Sequence, residues 1–281
     1  MPIKIYKPTG NARRNMSVNA YVELTTDKPH KALTIRKKKT AGRNHHGSIT
    51  CRHMGGGSPQ RLRQVDFFYL DKKGIPAKVE SVEYDPNRSS YVSLVCYADG
   101  ERRYVISHKD IKVGDKIVTE ENAKPVAGNR MLVSNVPVGL FVHNVETIVG
   151  NGAQMARSAG SFAQILSQEG EYTQVKMPSG EIRLVHKQCW ATVGIVSNSD
   201  WNQIRIGNAG RSRHMGIRPT VLGKSMNAVD HPHGGGEGHC PIGLIYPKTP
   251  WGQCAIGKKT RRRKYSTRWI LQDRRGKLLN A

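Results

Sequence analysis

The sequence predicts a mainly β protein in which two small closed sheets lie between long, irregular, basic extensions. Three observations predict this fold: short β-rich runs occupy the middle of the chain, turn residues separate them, and basic residues gather at both ends. The predicted parts are an N-terminal extension over residues 1–60, a first sheet over 61–125, a second sheet over 126–201 and a C-terminal extension over 202–281.

Charge divides the chain in nearly the same way. Residues 1–63 carry 14 Lys and Arg against 2 Asp and Glu, residues 64–200 carry 15 against 16, and residues 201–281 carry 16 against 3. The net charge of +24 indicates a polyanionic partner that binds the two ends. A membrane surface is disfavoured, because the basic ends are rich in Gly and Pro and contain no amphipathic helix. Nucleic acid is the favoured partner.

The five cysteines, at positions 51, 96, 189, 240 and 254, form no C-x-x-C pair and leave one residue over in any disulfide scheme. This usage is typical of a reducing compartment. The start, MPIKIYKPTG, has no apolar stretch of the signal-peptide type, and no apolar run reaches the ~18 residues of a membrane span. We expect a soluble intracellular protein.

The N-terminal extension is predicted to become ordered against a partner. It contains the basic run 36–39 and hardly any apolar periodicity, so it cannot bury enough surface to fold alone. A disordered tail without specific contacts is the alternative. The glycines at 55–57 beside Arg52 and His53 argue against it, because a solvating tail needs no such cluster.

The first β-rich segment is predicted to contain about five short strands. Four of them are visible as runs at 65–70, 77–84, 91–97 and 102–106. The Asp-Gly within 98–101 predicts a hairpin, and Asp-Pro-Asn-Arg at 85–88 predicts another turn. So many short strands in this length fit an oligonucleotide-binding (OB) type of barrel.

The second segment repeats this pattern. Its predicted strands are 140–147, 161–167, 172–177, 181–185 and 191–196, with turns at 169–170 and 178–180, and it also fits a small barrel. The intervening stretch 150–160 consists almost entirely of small residues, which let another backbone approach closely. It is either a flexible surface loop or a loop laid against RNA, with Arg157 as its charge.

After residue 201 strand signals fade, and about eighty residues have little regular pattern, which is unusual unless a partner supplies the folding surface. This extension contains DHPHGGGEGHC at 230–240. His231, His233, His239 and Cys240 could bind zinc, but their spacing matches no zinc finger or ribbon and the surrounding positive charge disfavours a dication. We predict no metal site.

Catalysis is a second interpretation of this motif. Asp230 could orient His231 as a general base, but side chains of adjacent residues diverge, and the chain contains no nucleophile elbow or phosphate-binding loop. We therefore expect no catalytic residue and no enzyme activity.

RNA contact is the interpretation that we favour. Gly234, Gly235 and Gly236 would let the main chain lie against sugar and phosphate. His231 and His233 can donate to phosphate or stack on a base. Glu237 and Asp230 would accept from base amino groups, bind hydrated Mg²⁺ or hold arginines. No cofactor is expected beyond Mg²⁺ that accompanies the RNA.

Seven motifs, in matching order and spacing, resemble the ribosomal protein L2 family of bacterial and organellar type. They are GRNHHGSITCRHMGGG at 42–57, EYDPNR at 83–88, GNAGR at 207–211, GIRPTV at 216–221, Met-Asn at 226–227, the motif at 230–238 and TPWG at 249–252.

This resemblance implies an OB barrel followed by an SH3-like barrel, with both extensions in large-subunit rRNA. Family members are described as primary rRNA binders that are important for subunit joining, tRNA binding and peptidyl transfer. The implied partners are large-subunit rRNA, neighbouring ribosomal proteins, the small subunit at the subunit interface and, indirectly, tRNA. The implied location is the cytoplasmic ribosome, with an organellar one as the alternative.

The resemblance also implies that the histidine-glycine loop extends toward the peptidyl transferase centre, where RNA performs the chemistry, so His231 is predicted to be a positioning residue. The residues predicted to contact rRNA are Arg, Lys, His, Asn and Gly of the motifs and basic runs. They are Arg43, Arg52, His53, Gly55, Gly56, Gly57, Arg61, Arg63, Arg88, Arg157, Arg211, Arg213, Arg218, Asn227, His231, His233, Gly234, Gly235, Gly236, Lys258, Lys259, Arg261 and Arg262.

Some positions depart from the family pattern. Leu222, Ala228 and His239-Cys240 stand where the family usually has Arg or Pro, and Met54 where a polar or basic residue is common. Each lost Arg removes a bidentate phosphate contact. The weakly matching residues 269–281 are predicted to be a solvated basic tail.

Two other functions remain open from the residues. One is a zinc-dependent hydrolase centred on His231, His233 and Cys240, which would contain stoichiometric zinc. The other is a free RNA chaperone or nucleoid-like packaging protein, which would bind RNA and DNA alike.

Overall fold

The computed structural model describes residues 3–237, 239 and 241–279, which form two compact units. We call residues 3–38, 59–209 and 266–279 the barrel unit. We call the described residues of 39–58 and 210–265 the basic unit. The predicted boundaries at 60, 125 and 201 stay predictions.

Strands are short throughout and helices are few. The strands are β1 (Ile3–Ile5), β2 (Ser17–Asn19), β3 (Thr34–Arg36), β4 (Arg61–Arg63), β5 (Ala77–Glu83), β6 (Val92–Tyr97), β7 (Arg102–Ile106), β8 (Lys116–Ile117), β9 (Arg130–Leu132), β10 (Phe141–His143), β11 (Val145–Glu146), β12 (Ala153–Met155), β13 (Ala163–Glu169), β14 (Tyr172–Lys176), β15 (Ile182–His186), β16 (Trp190–Val193) and β17 (Ile270–Gln272). The α-helix is α1 (Ala209–His214), and short 3₁₀ turns lie at Lys31–Leu33, Leu70–Lys72, Val133–Asn135, Ser199–Gln203, Gly223–Ser225 and Lys264–Trp269. None of the helices in the described residues is long and apolar enough to cross a membrane.

The first barrel is built on an antiparallel sheet with strand order β7-β6-β5-β8. Its hairpin β6–β7 turns at Gly100, which has φ 85°. A bulge between Val79 and Ser81 interrupts the register of β5, and such bulges bend strands where a sheet must curl. Val79, Val82 and Val95 are almost fully buried beneath this sheet.

The second barrel is built on a seven-stranded sheet with the order β17-β15-β14-β13-β10-β16-β9. Its core consists of small and β-branched side chains such as Val142, Ala163, Ile165 and Val175, each with no exposed surface. Their size suits the narrow interior of a small barrel, which side chains fill completely.

The prediction of a mainly β fold with an OB barrel followed by an SH3-like barrel is confirmed. The strand predicted at 65–70 is wrong, because only Val65 forms an isolated bridge there and Tyr69 adopts φ 62°. This aromatic-rich run is a loop that inserts Tyr69, 6 % exposed, into the first core.

The predicted solvated tail at 269–281 is also wrong over residues 269–272, whereas residues 274–279 are exposed. Strand β17 pairs with β15 at the edge of the second sheet, and Ile270 is 2 % exposed. The Trp269 ring lies 5.2 Å from the ring of Tyr172. This end of the chain therefore contributes to the second barrel; residues 280 and 281 lie outside the described residues.

Part of the N-terminal extension packs within the barrel unit. Strand β1 pairs with β2, and β3 pairs with β4. The amide of Asn19 donates hydrogen bonds of 2.7 Å to the Tyr91 hydroxyl and 2.7 Å to Asn198 Oδ1. These contacts tie the start of the chain to both barrels.

Several polar side chains deep in the barrel unit have protein partners, although buried atoms such as Arg130 Nε and His143 Nε2 form no hydrogen bond. The Arg130 guanidinium, 1 % exposed, lies 4.8 Å over the Tyr69 ring and donates to the Asn144 carbonyl at 2.9 Å. The Glu146 carboxylate accepts from the backbone N–H groups of Gly152 and Trp190. Burial also lowers the pKa of His143 to about 3.

Candidate nucleic-acid interface

The basic unit combines a large charge imbalance with almost no interior. It carries 14 Lys and Arg against two carboxylates, those of Asp230 and Glu237. Among its described residues only His231 is buried, at 8 % exposure. A segment that buries so little apolar surface gains little stability from its own packing.

Residues 42–58 begin as a small turn-rich loop. Arg43 bridges to Ile49, and the Gly42 carbonyl accepts hydrogen bonds from the backbone of residues 50 and 51. Arg43 and Arg52 are both exposed. The Arg52 guanidinium lies 5.3 Å over the Trp251 ring, and this stacked pair leaves Trp251 74 % exposed.

The glycine cluster at 55–57 packs against the chain that follows α1. Backbone hydrogen bonds of 2.8 Å join Gly55 N to Gly216 O and Ser58 N to His214 O. A Cβ on Gly57 would lie 2.9 Å from the Gly216 Cα, which is too close for any side chain. The glycine at 57 is thus needed for a backbone contact within the protein itself.

The same segments place two arginines and a histidine together. Arg218 N donates to the His53 carbonyl at 2.8 Å, and His53 has the strained φ of 61°. Arg213 and Arg218 are exposed, whereas Arg211 is half-buried. These side chains lie beside the cluster, since Arg213 is near Gly56 and the Arg218 stem is near Gly55.

The histidine-glycine loop is held by both histidine rings. His231 Nδ1 accepts a 3.0 Å hydrogen bond from His233 N, and His233 Nε2 accepts one of 2.8 Å from Lys248 N. The two ring centroids are 4.6 Å apart. Because these nitrogens accept N–H bonds, each ring has one nitrogen left for other partners.

The sequence predicts that the glycines of this loop let another group approach its backbone closely. In the structure the groups that approach belong to the same chain. A Cβ on Gly234 would lie 2.3 Å from the Asn227 carbonyl oxygen. Gly235 has φ 92°, and its Cβ would be 3.0 Å from that of Ala228. The Asn227 carbonyl also accepts hydrogen bonds from Asp230 N and His231 N. Gly236 is exposed.

The basic run of the C-terminal extension lies at the surface. Lys258, Lys259, Arg261 and Arg262 are exposed. Lys258 Nζ donates to Gln253 Oε1 at 2.7 Å. The run therefore lies at the surface of the basic unit, and its contact with RNA stays a prediction.

Four predicted contact residues belong to the barrel unit, and they differ in availability. Arg61 is exposed on β4, but Arg63 is 6 % exposed and bonded to Glu83 at 3.2 Å. Arg88 bonds to Asp85 at 2.6 Å. Arg63 therefore pairs with a carboxylate of the first barrel, and its contact with RNA stays a prediction.

The fourth residue, Arg157, is exposed in the predicted small-residue loop. Its guanidinium lies 4.7 Å over the Phe67 ring and donates to the Ala153 carbonyl at 3.2 Å. Residues 153–155 of this loop form β12, paired with β11. The loop is thus ordered, and its contact with RNA stays a prediction.

The described residues contain no group of three His, Cys, Asp or Glu side chains that could hold a metal ion. Cys240, a donor in the zinc interpretation, lies outside the described residues, and His239 is exposed. The departures at Leu222, Ala228 and Met54 all lie at exposed positions of the basic unit.

Two features of the interface were missed by sequence reasoning. Lys39 Nζ donates to the Gly57 carbonyl at 2.5 Å, so it braces the glycine cluster. Trp251 presents the stacked surface with Arg52. The TPWG motif gave a signal for Trp251, because an aromatic residue among Gly and Pro in a basic segment is a typical base-stacking platform.

Two family models match the chain. The model described as Ribosomal Proteins L2, RNA binding N-terminal domain, matches residues 30–119. The model described as Ribosomal Proteins L2, C-terminal domain, matches residues 126–252. The two matches include both barrels and most of the basic unit.

Proposed function

The chain belongs to the ribosomal protein L2 family, and from this membership we propose that its basic unit folds along large-subunit rRNA while its barrels form a rigid body. It is a structural protein of the large ribosomal subunit with an RNA-binding N-terminal domain. Its partners are therefore rRNA and the ribosome.

The charge balance of the basic unit is the observation that carries the proposal. Two carboxylates cannot neutralise 14 cations, and phosphates supply the missing charge at a high density. His231 is the single buried residue in the described part of this unit, which supports the same interpretation, because a unit without a core needs an external surface to hold its shape.

The predicted contact residues divide into two groups under this proposal. Arg43, Arg52, Arg213, Arg218 and the run from Lys258 present charge to the phosphates. The glycines and His231 fix the backbone of the basic unit, on which those charges lie. This positioning role is supported by their contacts within the chain.

We further propose that the protein acts as a scaffold and not as an enzyme. Nitrogens of His231 and His233 are engaged by backbone N–H groups, which supports a role in fixing the loop near the peptidyl transferase centre. Mg²⁺ associated with rRNA is the only cofactor in the proposal. Roles in subunit association and tRNA binding, with neighbouring ribosomal proteins as partners, belong to it too.

The cytoplasmic ribosome is the proposed location. Cys51, Cys96, Cys189 and Cys254 are free thiols, which supports a reducing compartment. Separation of cytoplasmic from organellar ribosomes before detection of this chain distinguishes the two locations.

Sedimentation tests the proposal directly. In a sucrose gradient of cell extract the chain should sediment with the large subunit and with no free pool of comparable size. A free RNA chaperone would stay near the top of the gradient, and a zinc hydrolase would contain stoichiometric zinc by metal analysis. Either result would contradict the proposal.

Salt dependence of rRNA binding gives a second test. If about ten phosphates are contacted, log affinity should fall against log salt with a slope of roughly −9. A slope shallower than about −3 would be too small for a charge of this size to be engaged.

A further inference from the structure

The basic unit contains a cavity of about 260 Å³ between its two chain segments. Residues 41–54 form one wall, and Arg218, Pro219 and Val221 form the other. The volume far exceeds the ~30 Å³ of a water molecule. It lies just below the ~300 Å³ at which pockets for drug-sized ligands begin, so it suits one ring-sized group.

The lining combines apolar surface with positive charge. Ile49 and Val221 are 59 % and 55 % exposed, and Met54 is 42 % exposed, so the apolar walls face solvent when the cavity is empty. Arg43 and Arg218 line the same cavity. A ligand that covers the walls and pairs with the arginines is therefore apolar at one end and anionic at the other.

Backbone hydrogen bonds join the two walls of the cavity to each other. Arg218 N donates to His53 O at 2.8 Å, and Met54 pairs with Ile217 in an isolated bridge. Two lining residues, Ala41 and His53, have positive φ values of 50° and 61°. Strained residues of this kind cluster at ligand sites, where surrounding structure maintains them.

We propose that this cavity binds one unpaired nucleotide of rRNA, with the base against the apolar walls and the phosphate at Arg43 and Arg218. Duplex bases are inaccessible to such a cavity, whereas a base of a loop or bulge can turn outward and stack on side chains. The inference rests on the proposed rRNA binding and adds a defined subsite to it.

A pair of adjacent substitutions tests the subsite in the full-length chain. Val221→Trp fills the cavity, whereas Leu222→Trp adds the same ring at an exposed neighbouring position that does not line it. Both variants are bound to the full-length large-subunit rRNA and probed with dimethyl sulfate and a 2′-hydroxyl acylating reagent. Circular dichroism and thermal melting establish that each variant is folded.

Wild type and Leu222→Trp should protect the same unpaired nucleotide. Val221→Trp should expose that nucleotide and bind the rRNA about tenfold more weakly, because stacking of one base is lost. Identical footprints for the two variants, with wild-type binding intact, would overturn the subsite and leave the proposed function standing. Failure of the wild type to bind rRNA would overturn the proposed function itself.

A second pair keeps the test valid if Val221→Trp fails to fold. Arg218→Gln keeps the backbone bond to His53 and should expose the protected nucleotide. Arg213→Gln removes an equal charge outside the cavity and should weaken binding while the footprint stays unchanged. Loss of a neighbouring protein from assembled subunits of Val221→Trp, with the RNA footprint unchanged, would mean that the cavity takes a peptide and would overturn the proposal.

Discussion

The barrel unit and the basic unit use arginine in opposite ways. In the first barrel Arg103 bonds to Asp66, Asp71 and Glu101, and Arg63 lies buried against Glu83. The barrel unit has 31 basic and 19 acidic residues, whereas the basic unit has 14 and 2. Carboxylates pair with many of the arginines in one unit, whereas the other has only two carboxylates for its 14 cations.

The buried ion pair of the first barrel should produce the largest effect. Glu83→Gln removes the nearer of the two carboxylates of Arg63, since the remaining pair with Asp85 spans 3.8 Å, and removal of one partner of a buried pair costs about 3–5 kcal/mol. The free energy of unfolding, from urea denaturation, should fall by that amount. Glu121→Gln is the control, because its pair with Lys73 is exposed and should change stability by less than about 1 kcal/mol. Equal decreases in the free energy of unfolding for the two variants would show that burial does not determine how much an ion pair contributes to stability.

Acid should destabilise the barrel unit through His143. Burial holds its pKa at about 3, below its ordinary value of 6.5, so on acidification the unfolded chain takes up the proton first. The contribution of His143 to the free energy of unfolding is therefore fully present above pH ~6.5. It falls by about 1.4 kcal/mol per pH unit as the pH decreases toward 3.

Denaturation curves at several pH values check this dependence. His143→Gln should be less sensitive to acid than the wild type, although buried His108, whose pKa burial also lowers, retains a part of the effect. His45→Gln, at an exposed position, should behave as the wild type. A wild-type pH profile for His143→Gln would refute the assignment.

Backbone crowding in the basic unit should affect RNA binding more than folding. Gly234→Ala places a Cβ against the Asn227 carbonyl and should displace the loop, lowering rRNA affinity about tenfold, which corresponds to ~1.4 kcal/mol. Gly10→Ala is the control, since nothing lies within 4 Å of its added Cβ. Incorporation into large subunits, measured by sedimentation, should fall for the first variant only.

Removal of a single charge should have the smallest effect on rRNA binding, and its effect should differ most clearly between the two units. Arg213→Gln should reduce the salt slope of rRNA binding by about 0.9, the contribution of one phosphate contact. Arg102→Gln removes a charge that is already bonded to Glu80 and should leave the slope unchanged. The same reduction in both variants would remove the distinction between paired and available arginines.

The sequence predicted the barrels better than the contacts of the loops. Strands β5, β6, β7 and β14 lie within the runs predicted at 77–84, 91–97, 102–106 and 172–177, and β14 alternates buried with more exposed residues along its length. The run at 65–70 has strand composition but serves as a loop that inserts Tyr69, and Ile270 joins a sheet far from it in sequence. Such long-range contacts leave no local periodicity.

The site was predicted by residue type but not by geometry. Glycines at 57 and 234 indicated close backbone approach, and the structure gives Gly216 and Asn227 as the groups approached. Histidines 231 and 233 indicated recognition, but their rings also hold the loop together. Composition cannot distinguish approach to RNA from approach to another part of the same chain.

Hydrogen exchange of the full-length protein, alone and bound to large-subunit rRNA, tests the central claim most directly. In the free protein, amides of the two sheets should be protected, whereas those of residues 42–58 and 210–265 should exchange fast, because these segments have almost no buried core. With rRNA bound, the same segments should become protected. Strong protection of 210–265 in the RNA-free protein, equal to that of the sheets, would contradict the account.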